Sequence, residues 1–299
     1  GYIGPVLTKH LKLSMPLSEI TGFDTGYFAS RIISSGRIGD TYCNHQLYQD
    51  IRDVSTEYLA KFDAVIILSA ISNDPMGNKF EDVTNSINHL AVKKIIEPYL
   101  KLKNKRLVFA SSCSMYGASE GEAKKEYDTL NPLTAYSKSK VAVEKALQKF
   151  ELGPGTTATS LRFATACGMS DRLRLDLVLN DFVASALIHK RIKILSDGTP
   201  WRPRIHVKDM ARAIEWGIHR DENIATPYLA VNVGSNLWNY KVSDLAKAVA
   251  DTLPNCQLSF NVKALSDKRS YKVNFDLFTT LAPNYTPIYS LQDTISELV

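Results

Sequence analysis

Apolar stretches alternate with helix-like stretches along the first half of the chain. Residues 63–70 and 106–110 are apolar runs, typical of strands buried in a parallel sheet, and residues 158–168 predict another strand. Between them, residues 81–100 place apolar side chains on one broad side of a helix, where they would cover the sheet. The alternation predicts a doubly wound α/β domain of the Rossmann type.

The remaining pattern predicts a second, smaller unit. An amphipathic helix over residues 241–253 lies beyond the main alternation. We expect the ligand in the cleft between the two units, outside the carboxyl ends of the strands. The predicted division is a Rossmann-like domain, 1–165 with about 205–237 returning to it, and a smaller α/β substrate-binding domain, 166–204 and 238–299.

Composition narrows the class of protein. The 299 residues are 44% hydrophobic and 22% charged, which describes an ordinary soluble globular protein. Neither an apolar run of about 18 residues nor a charged-then-apolar leader is visible, so we expect no membrane span or secretory signal. The net charge of +5 comes from interspersed residues and argues against nucleic-acid binding. Four scattered cysteines favour a reducing cytoplasm and no metal site.

Ser112, Tyr136 and Lys140 form the most informative set of polar residues. Tyr136 and Lys140 are four residues apart, so on a helix they share one face. A lysine cation favours tyrosinate and lowers the tyrosine pKa from about 10 toward the range of a general base. Ser112 follows an apolar run, so its hydroxyl could meet Tyr136 at a strand's carboxyl end. The spacing alone is common on solvated helix faces.

Three segments carry a resemblance to a known family: FASSCSMYG, NPLTAYSKSKVAVEK and GYIG. They resemble the extended short-chain dehydrogenase/reductase family, in particular its nucleotide-sugar epimerases and dehydratases. The resemblance covers essentially the whole chain. It implies hydride transfer between C4 of a nucleotide sugar and NAD, with Tyr136 as base, Lys140 as its electrostatic partner and Ser112 as hydroxyl donor. A homodimer is expected as well.

The first residues resemble a phosphate-binding turn. Gly1, Tyr2, Ile3 and Gly4 look like the end of a G-x-x-G-x-x-G turn that runs into a helix, with the strand before it missing from this chain. Asp24 ends a strand-like run 20 residues after Gly4, where an acid suits a ribose diol and repels a 2′-phosphate. Asp24 therefore favours NAD over NADP.

The resemblance implies further contacts with NAD. In relatives, a pair like Asp50 and Ile51 lies beside the adenine, and a segment like that around Phe163 and Thr165 lies near the nicotinamide. This chain departs from the family there, because Phe163 replaces a tyrosine and Thr165 an asparagine. The cofactor contacts expected at strand ends are Leu68, Ser69, Ala70 and Phe163.

Two arginines are the expected anchors of a substrate diphosphate. Arg202 precedes an IHVKD segment, where relatives carry a diphosphate-binding arginine, and a guanidinium can bind phosphate oxygens with two parallel hydrogen bonds. Lys268 and Arg269 lie where relatives often bring a second one. Arg172 and Arg174 could form a solvated face or meet the nucleotide phosphates, and the solvated face is the preferred interpretation. The full set of expected substrate contacts is Ser112, Cys113, Ser114, Thr165, Arg202 and Arg269.

The residues after Ser112 bear on the choice of reaction. Sugar dehydratases of the family carry an Asp-Glu pair, and decarboxylases a Glu, where this chain has Cys113 and Ser114. An elimination needs a positioned acid and base, which a serine or an unperturbed thiol replaces poorly. The resemblance then implies a 4-epimerase or a 4-ketosugar reductase. Asp24 favours the epimerase, because an enzyme that recycles its own NAD does not need NADPH.

Other functions stay open at this point. A dehydratase of the same family, an inactive NAD-binding regulatory protein and a reductase of a non-sugar ketone all share the scaffold. Intact Ser112, Tyr136 and Lys140 count against the regulatory protein. Arg202 counts against the non-sugar ketone, which would leave a diphosphate anchor without a partner.

Overall fold

A computed structural model describes residues 1–33, 42–119, 121–261 and 269–299, so Lys268 lies outside the described residues. The strands found there are β1 (Thr21–Asp24), β2 (His45–Tyr48), β3 (Ala64–Ile67), β4 (Arg106–Ser112), β5 (Thr157–Phe163), β6 (Thr165–Cys167), β7 (Arg191–Ile194), β8 (Trp201–His206), β9 (Tyr228–Val233), β10 (Asn239–Lys241) and β11 (Gln257–Phe260).

The helices of the same described ranges are α1 (Ile3–Ser14), α2 (Thr56–Leu59), α3 (Asp74–Lys79), α4 (Glu81–Asn85), α5 (Val92–Leu100), α6 (Ala135–Leu147), α7 (Val178–His189), α8 (Val207–His219), α9 (Val242–Thr252), α10 (Asp276–Leu281) and α11 (Leu291–Leu298). A π-helical segment, Ser86–Ala91, joins α4 to α5. No helix in this part of the chain is long and apolar enough to cross a membrane.

The main sheet is parallel and lies between two layers of helices. Among the described residues its strands pair in the order β3-β4-β5-β9, and every pair is parallel. Successive residues of β4 face opposite layers: Val108 packs with α1 and α8, and Leu107 with α5 and α6. Since both faces are buried, the strand is a nearly continuous apolar run. The predicted doubly wound α/β fold is confirmed.

A smaller unit has its own apolar core. It joins α7, β7, α9 and α11 around side chains such as Phe182, Ile194 and Leu245. Strand β8 lies between β10, to which it is antiparallel, and β6, to which it is parallel. Strand β8 therefore links the smaller unit to the end of β5, which β6 follows directly.

Residues 271–282 depart from the predicted division of the chain. The sequence assigns them to the smaller unit, but Phe275 and Phe278 are fully buried in the core of the main sheet. Phe278 packs edge-on against Trp216 of α8, with ring centres 5.4 Å apart. Burial of these aromatic rings ties the segment to the larger domain.

Candidate active site

Ser112 and Tyr136 meet at the carboxyl end of the main sheet. Ser112 ends β4, and its Oγ accepts the Ser114 amide at 3.1 Å and donates to Ser114 Oγ at 2.9 Å. Tyr136 lies in the first turn of α6, which begins at a reciprocal cap between Thr134 and Ser137. The Ser112 hydroxyl lowers the pKa of Tyr136 as a hydrogen-bonding group, so the two side chains lie close together. The structure therefore brings the expected base and hydroxyl donor together.

The electrostatics of Tyr136 differ from the sequence-based expectation. Burial raises the pKa of Tyr136 to about 12, while the hydrogen bond with Ser112 and the charge of Arg174 lower it. Lys140 is buried, donates to Ala110 O at 2.6 Å, and lies 5.4 Å from the centre of the Tyr136 ring. Burial lowers the pKa of Lys140 to about 7. The predicted net lowering of the tyrosine pKa is wrong, because loss of water outweighs the nearby positive charge.

Cys113 is turned away from the cleft, contrary to its prediction as a substrate contact. The side chain is fully buried, and its Sγ donates to the carbonyl oxygen of Arg162 at 3.0 Å. Burial raises the pKa of the Cys113 thiol well above its usual value. Ser114 stays half-buried and hydrogen-bonded to Ser112, so a substrate contact from Ser114 stays a prediction.

A buried ion pair supports the catalytic helix from below. Glu144, one turn after Lys140, pairs with Arg162 of β5 at 2.7 Å and accepts a hydrogen bond from Ser111 at 2.6 Å. Arg162 also donates to Tyr116 Oη at 3.1 Å. No prediction from the sequence included this pair. The one signal was an acid four residues after Lys140, on the same face of the helix.

Arg174 is not the solvated residue that the sequence predicted. Its side chain is 20% exposed, and its Nη2 lies 2.6 Å from Asp176 Oδ2. Its Nη1 donates to Ser72 Oγ at 3.0 Å. Because the charge of Arg174 lowers the pKa of Tyr136, the guanidinium lies near the candidate base. No sequence spacing showed this, since Ser72 and Arg174 are about one hundred positions apart.

The N-terminal turn leads directly into α1. A Cβ added at Gly4, in the first turn of that helix, would meet nothing within 4 Å, so the backbone there is open to a ligand. No side chain caps the start of α1, whose first amides are therefore available. Tyr2 is buried with its hydroxyl donating to Gly168 O at 2.6 Å, so only its backbone belongs to the turn. Ile3 is half-buried.

Asp24 fits a ribose. It ends β1 with its side chain 47% exposed, and one carboxylate oxygen lies 3.4 Å from the Gly1 amino group. The other accepts the Gly26 amide at 2.7 Å, which fixes the carboxylate beside the turn. An exposed acid at this place can accept hydrogen bonds from both hydroxyls of a ribose, as NAD requires.

Other expected NAD contacts lie along the strand ends. Ile51 is buried in the core and Asp50 forms an ion pair with Arg52 at 2.8 Å, so an adenine contact from this pair stays a prediction. Phe163 ends β5 opposite Ser112 in the register, and Thr165 begins β6. The half-buried residues that follow β3 at the same edge are Leu68, Ser69 and Ala70.

The two predicted phosphate arginines lie near one buried tyrosine. The Arg202 guanidinium lies 5.5 Å from the Tyr271 ring centre and donates to Trp201 O at 2.8 Å. Arg269 forms an ion pair with Asp74, the first residue of α3. Both arginines lower the pKa of Tyr271, which burial raises to about 12. Among the described residues, no group of three His, Cys, Asp or Glu could hold a metal ion.

The strand ends of this parallel sheet bring together a glycine turn, an acidic residue suited to a ribose, and the side chains of Ser112, Tyr136 and Lys140. These features define the class of Rossmann-type nicotinamide-dependent enzymes. Residues 1–234 match the model of the NAD dependent epimerase/dehydratase family, and the chain belongs to that family. Its cofactor is NAD.

Two curated relatives are described as UDP-glucose epimerases. The chain is 28% identical over 154 residues to the uncharacterized UDP-glucose epimerase YtcB of Bacillus subtilis, a match covering 51% of this chain and 48%, about half, of that protein. It is 23% identical over 259 residues to a putative UDP-glucose 4-epimerase of Methanocaldococcus jannaschii, covering 84% of this chain and 81% of that protein.

Solved structures share the fold at low identity. TunA, an NAD dependent NDP-hexosamine 5,6-dehydratase involved in tunicamycin biosynthesis, matches with a TM-score of 0.83 at 18% identity, covering 100% of this chain and 93% of that one. MoeE5, in complex with UDP-glucuronic acid and NAD, matches with a TM-score of 0.81 at 22% identity, covering 99% and 94%. Epimerases and dehydratases both occur among such structures.

Proposed function

We propose that this protein is an NAD-dependent nucleotide-sugar 4-epimerase that oxidises C4 of the hexose and returns the hydride to its other face. The arrangement after Ser112 carries the proposal. Cys113 is buried and bonded to a backbone carbonyl, and Ser114 is bonded to Ser112. This leaves no carboxylate at either position, where an elimination needs a positioned acid and base.

The chain's own groups handle the proton. Tyr136 takes the proton of the C4 hydroxyl, and Ser112 holds the same oxygen through its hydroxyl. Bound NAD supplies a hydride acceptor and, once reduced, a hydride donor. Lys140 lies under the tyrosine ring, where its charged form stabilises tyrosinate. Residues that would hold NAD are the turn at Gly1 and Gly4 and the Asp24 carboxylate.

UDP-glucose is the substrate that the curated relatives suggest, since both are described as UDP-glucose epimerases. In this proposal Arg202 and Arg269 hold the diphosphate, with Ser114 and Thr165 along the sugar. We further propose a homodimer that acts in the cytoplasm on carbohydrate precursors. A 4-ketosugar reductase or a dehydratase is the second candidate, supported by the fold shared with TunA.

Product analysis tests the proposal. Purified protein incubated with UDP-glucose should give a mixture with UDP-galactose, with no net formation of NADH at 340 nm. A 4-keto-6-deoxy product would identify a dehydratase instead. Consumption of NADH with a 4-ketosugar would identify a reductase, and bound NAD with no turnover of any nucleotide sugar would favour the regulatory protein.

The diphosphate anchor can be tested separately. Arg202→Ala should weaken UDP binding by roughly 10- to 150-fold, because it removes charge-assisted hydrogen bonds to phosphate. Arg202→Lys should restore only part of the affinity, since an ammonium lacks the planar fork. Calorimetric titrations with UDP and with NAD on both variants provide the measurement, and NAD affinity should not change. Equal UDP affinity in wild type and both variants would remove Arg202 from the site.

A further inference from the structure

Arg204 is a buried cation without a counterion. Its side chain in β8 is 3% exposed, and its Nε is buried with no hydrogen-bond partner. Within the described residues no carboxylate forms an ion pair with it. Burial lowers the pKa of Arg204 only to about 10, so the guanidinium keeps its charge at neutral pH. A buried, uncompensated charge is costly, which suggests that a ligand compensates it.

Two other buried arginines show how the fold normally satisfies this side chain. Arg162 pairs with Glu144 at 2.7 Å. Arg220 forms no ion pair with a carboxylate in the described part of the chain, but donates to Thr159 Oγ1 at 2.9 Å and to three backbone carbonyls. Arg204 has neither kind of compensation, although burial lowers the pKa of Arg220 to the same value, about 10.

The position of Arg204 points to the substrate cleft. Arg202 and Arg204 are two residues apart on β8, so their side chains leave the strand on the same face. Arg202, Arg204 and Arg269 all lower the pKa of Tyr271, so the three cations gather around that one side chain. In the proposed function, Arg202 and Arg269 already bind the diphosphate. Arg204 is a third arginine beside them.

The strand register places Arg204 on the catalytic side of this group. Arg204 pairs with Thr165 of β6, and two residues earlier Phe163 pairs with Ser112. Arg202 instead pairs with Tyr240 of β10, on the other edge of β8. Arg204 is therefore the arginine connected through adjacent strands to Ser112, the residue that holds the C4 oxygen of the hexose in the proposed function.

We propose that Arg204 binds a carboxylate carried by the sugar ring, so that the substrate is a nucleotide-linked uronic acid. The proposal rests on the proposed function for the placement of the sugar and refines its substrate class. A guanidinium matches a carboxylate with two parallel hydrogen bonds, and a neutral hexose would leave the buried charge uncompensated. The diphosphate stays with Arg202 and Arg269.

Binding of matched ligands tests the assignment. NAD-loaded wild type, Arg204→Met, Arg204→Lys and Arg220→Met are titrated calorimetrically with UDP, UDP-glucose and UDP-glucuronic acid. Wild type should prefer UDP-glucuronic acid to UDP-glucose. Arg204→Met should weaken UDP-glucuronic acid roughly 10- to 150-fold and UDP less than about twofold, while Arg204→Lys keeps part of the affinity. Arg220→Met should leave the ligand preference unchanged.

Thermal unfolding of ligand-free protein supplies the second readout. Arg204→Met should keep or raise the melting temperature, because it removes an uncompensated buried charge. Arg220→Met should lower it by roughly 4 °C or more, because it leaves buried carbonyls without donors.

Three results would overturn the proposal. One is that Arg204→Met weakens the binding of UDP as much as that of UDP-glucuronic acid, which would mean that Arg204 binds the diphosphate. The others are unchanged affinity for all three ligands, and wild type that binds UDP but prefers UDP-glucose. Wild type that binds no UDP at all would overturn the proposed function together with this inference, which separates the two failures.

Discussion

The centre of the Tyr136 ring and the Nζ of Lys140 lie 5.4 Å apart, with the lysine buried and the tyrosine half-buried. Burial disfavours the charged form of both groups, so it raises the pKa of the tyrosine and lowers that of the lysine. Ser112 and Arg174 act against burial at Tyr136. The reactivity of the tyrosine therefore depends on the balance of these effects and not on the lysine alone.

Tyr136→Phe should lower turnover by a factor of at least ~100, because it removes the proton acceptor and leaves the ring in place. The measurement is the initial rate with UDP-glucose, alongside the thermal unfolding curve. Tyr228→Phe is a matched control, since it removes a hydroxyl that donates to Ser160 Oγ at 3.2 Å, away from Ser112. Undiminished turnover in Tyr136→Phe would remove the tyrosine as base.

The Lys140 pKa predicts a pH-dependent stability. The ordinary lysine pKa is 10.5, so with a folded-state value of about 7 the unfolded chain binds more protons between these limits. Wild-type stability from this group then rises with pH across that window, by up to about 1.4 kcal/mol per pH unit. The stability of Lys140→Met relative to wild type should therefore grow as pH falls from 10 to 7, and level off below.

Urea unfolding of NAD-free protein at pH 6 to 10 measures that difference. Since other titrating groups are common to both proteins, they cancel in the comparison. A difference that is constant between pH 7 and 10 would mean that Lys140 titrates at its ordinary pKa.

At the scale of elements, the start of α6 positions the base. Thr134 Oγ1 accepts the Ser137 amide at 3.2 Å, and Ser137 Oγ accepts the Thr134 amide at 3.0 Å. Tyr136 lies inside this reciprocal cap, in the first turn. Fraying of that turn would therefore move the catalytic hydroxyl away from Ser112.

Thr134→Ala should cost about 1 kcal/mol of stability and also reduce turnover, because loss of the cap frees the first turn. Ser290→Ala removes the corresponding cap of α11, where the Ser290 hydroxyl accepts the Asp293 amide at 3.1 Å. This control should lose similar stability with turnover unchanged. Urea unfolding and initial rates on both variants give the comparison, and equal effects on turnover would contradict the positioning role.

At the scale of the whole molecule, one polar network crosses the main sheet beneath the site. Glu144 of α6 pairs with Arg162 of β5, both nearly inaccessible to water, and Ser111 of β4 joins them. Tyr116 extends the network to Asn232 of β9 through a hydrogen bond of 2.8 Å. The catalytic helix is thus bonded to strands that are far apart in sequence.

Glu144→Gln should lower the free energy of unfolding by about 3–5 kcal/mol, because Arg162 is left charged without a counterion. The double variant Glu144→Leu/Arg162→Met should recover much of that loss, since it removes both charges. Glu97→Gln is the exposed control: its pair with Lys101, 3.9 Å apart, should contribute less than about 1 kcal/mol. Urea unfolding measures all three, and a small effect of Glu144→Gln would show that water reaches the pair.

Features that depend on short spacings could be predicted from the sequence alone. Apolar runs and helical periods are local, so the doubly wound parallel sheet could be predicted from them. The same holds for the shared helix face of Tyr136 and Lys140 and for the glycine turn followed by Asp24. The first two are decided by residues within one element or one turn of each other, and the last combines two short patterns that lie 20 residues apart.

The protonation of those residues and the identity of their neighbours depend on the folded chain and could not be predicted. The direction of Cys113, the burial of Arg174 beside Tyr136 and the packing of residues 271–282 all depend on contacts between distant parts of the chain. Arg204 is the clearest example of a residue whose surroundings could not be predicted. No residue spacing in the sequence indicates a buried arginine without a counterion. Burial and compensation of charge are properties of the surrounding fold, and both appear only when the chain has packed.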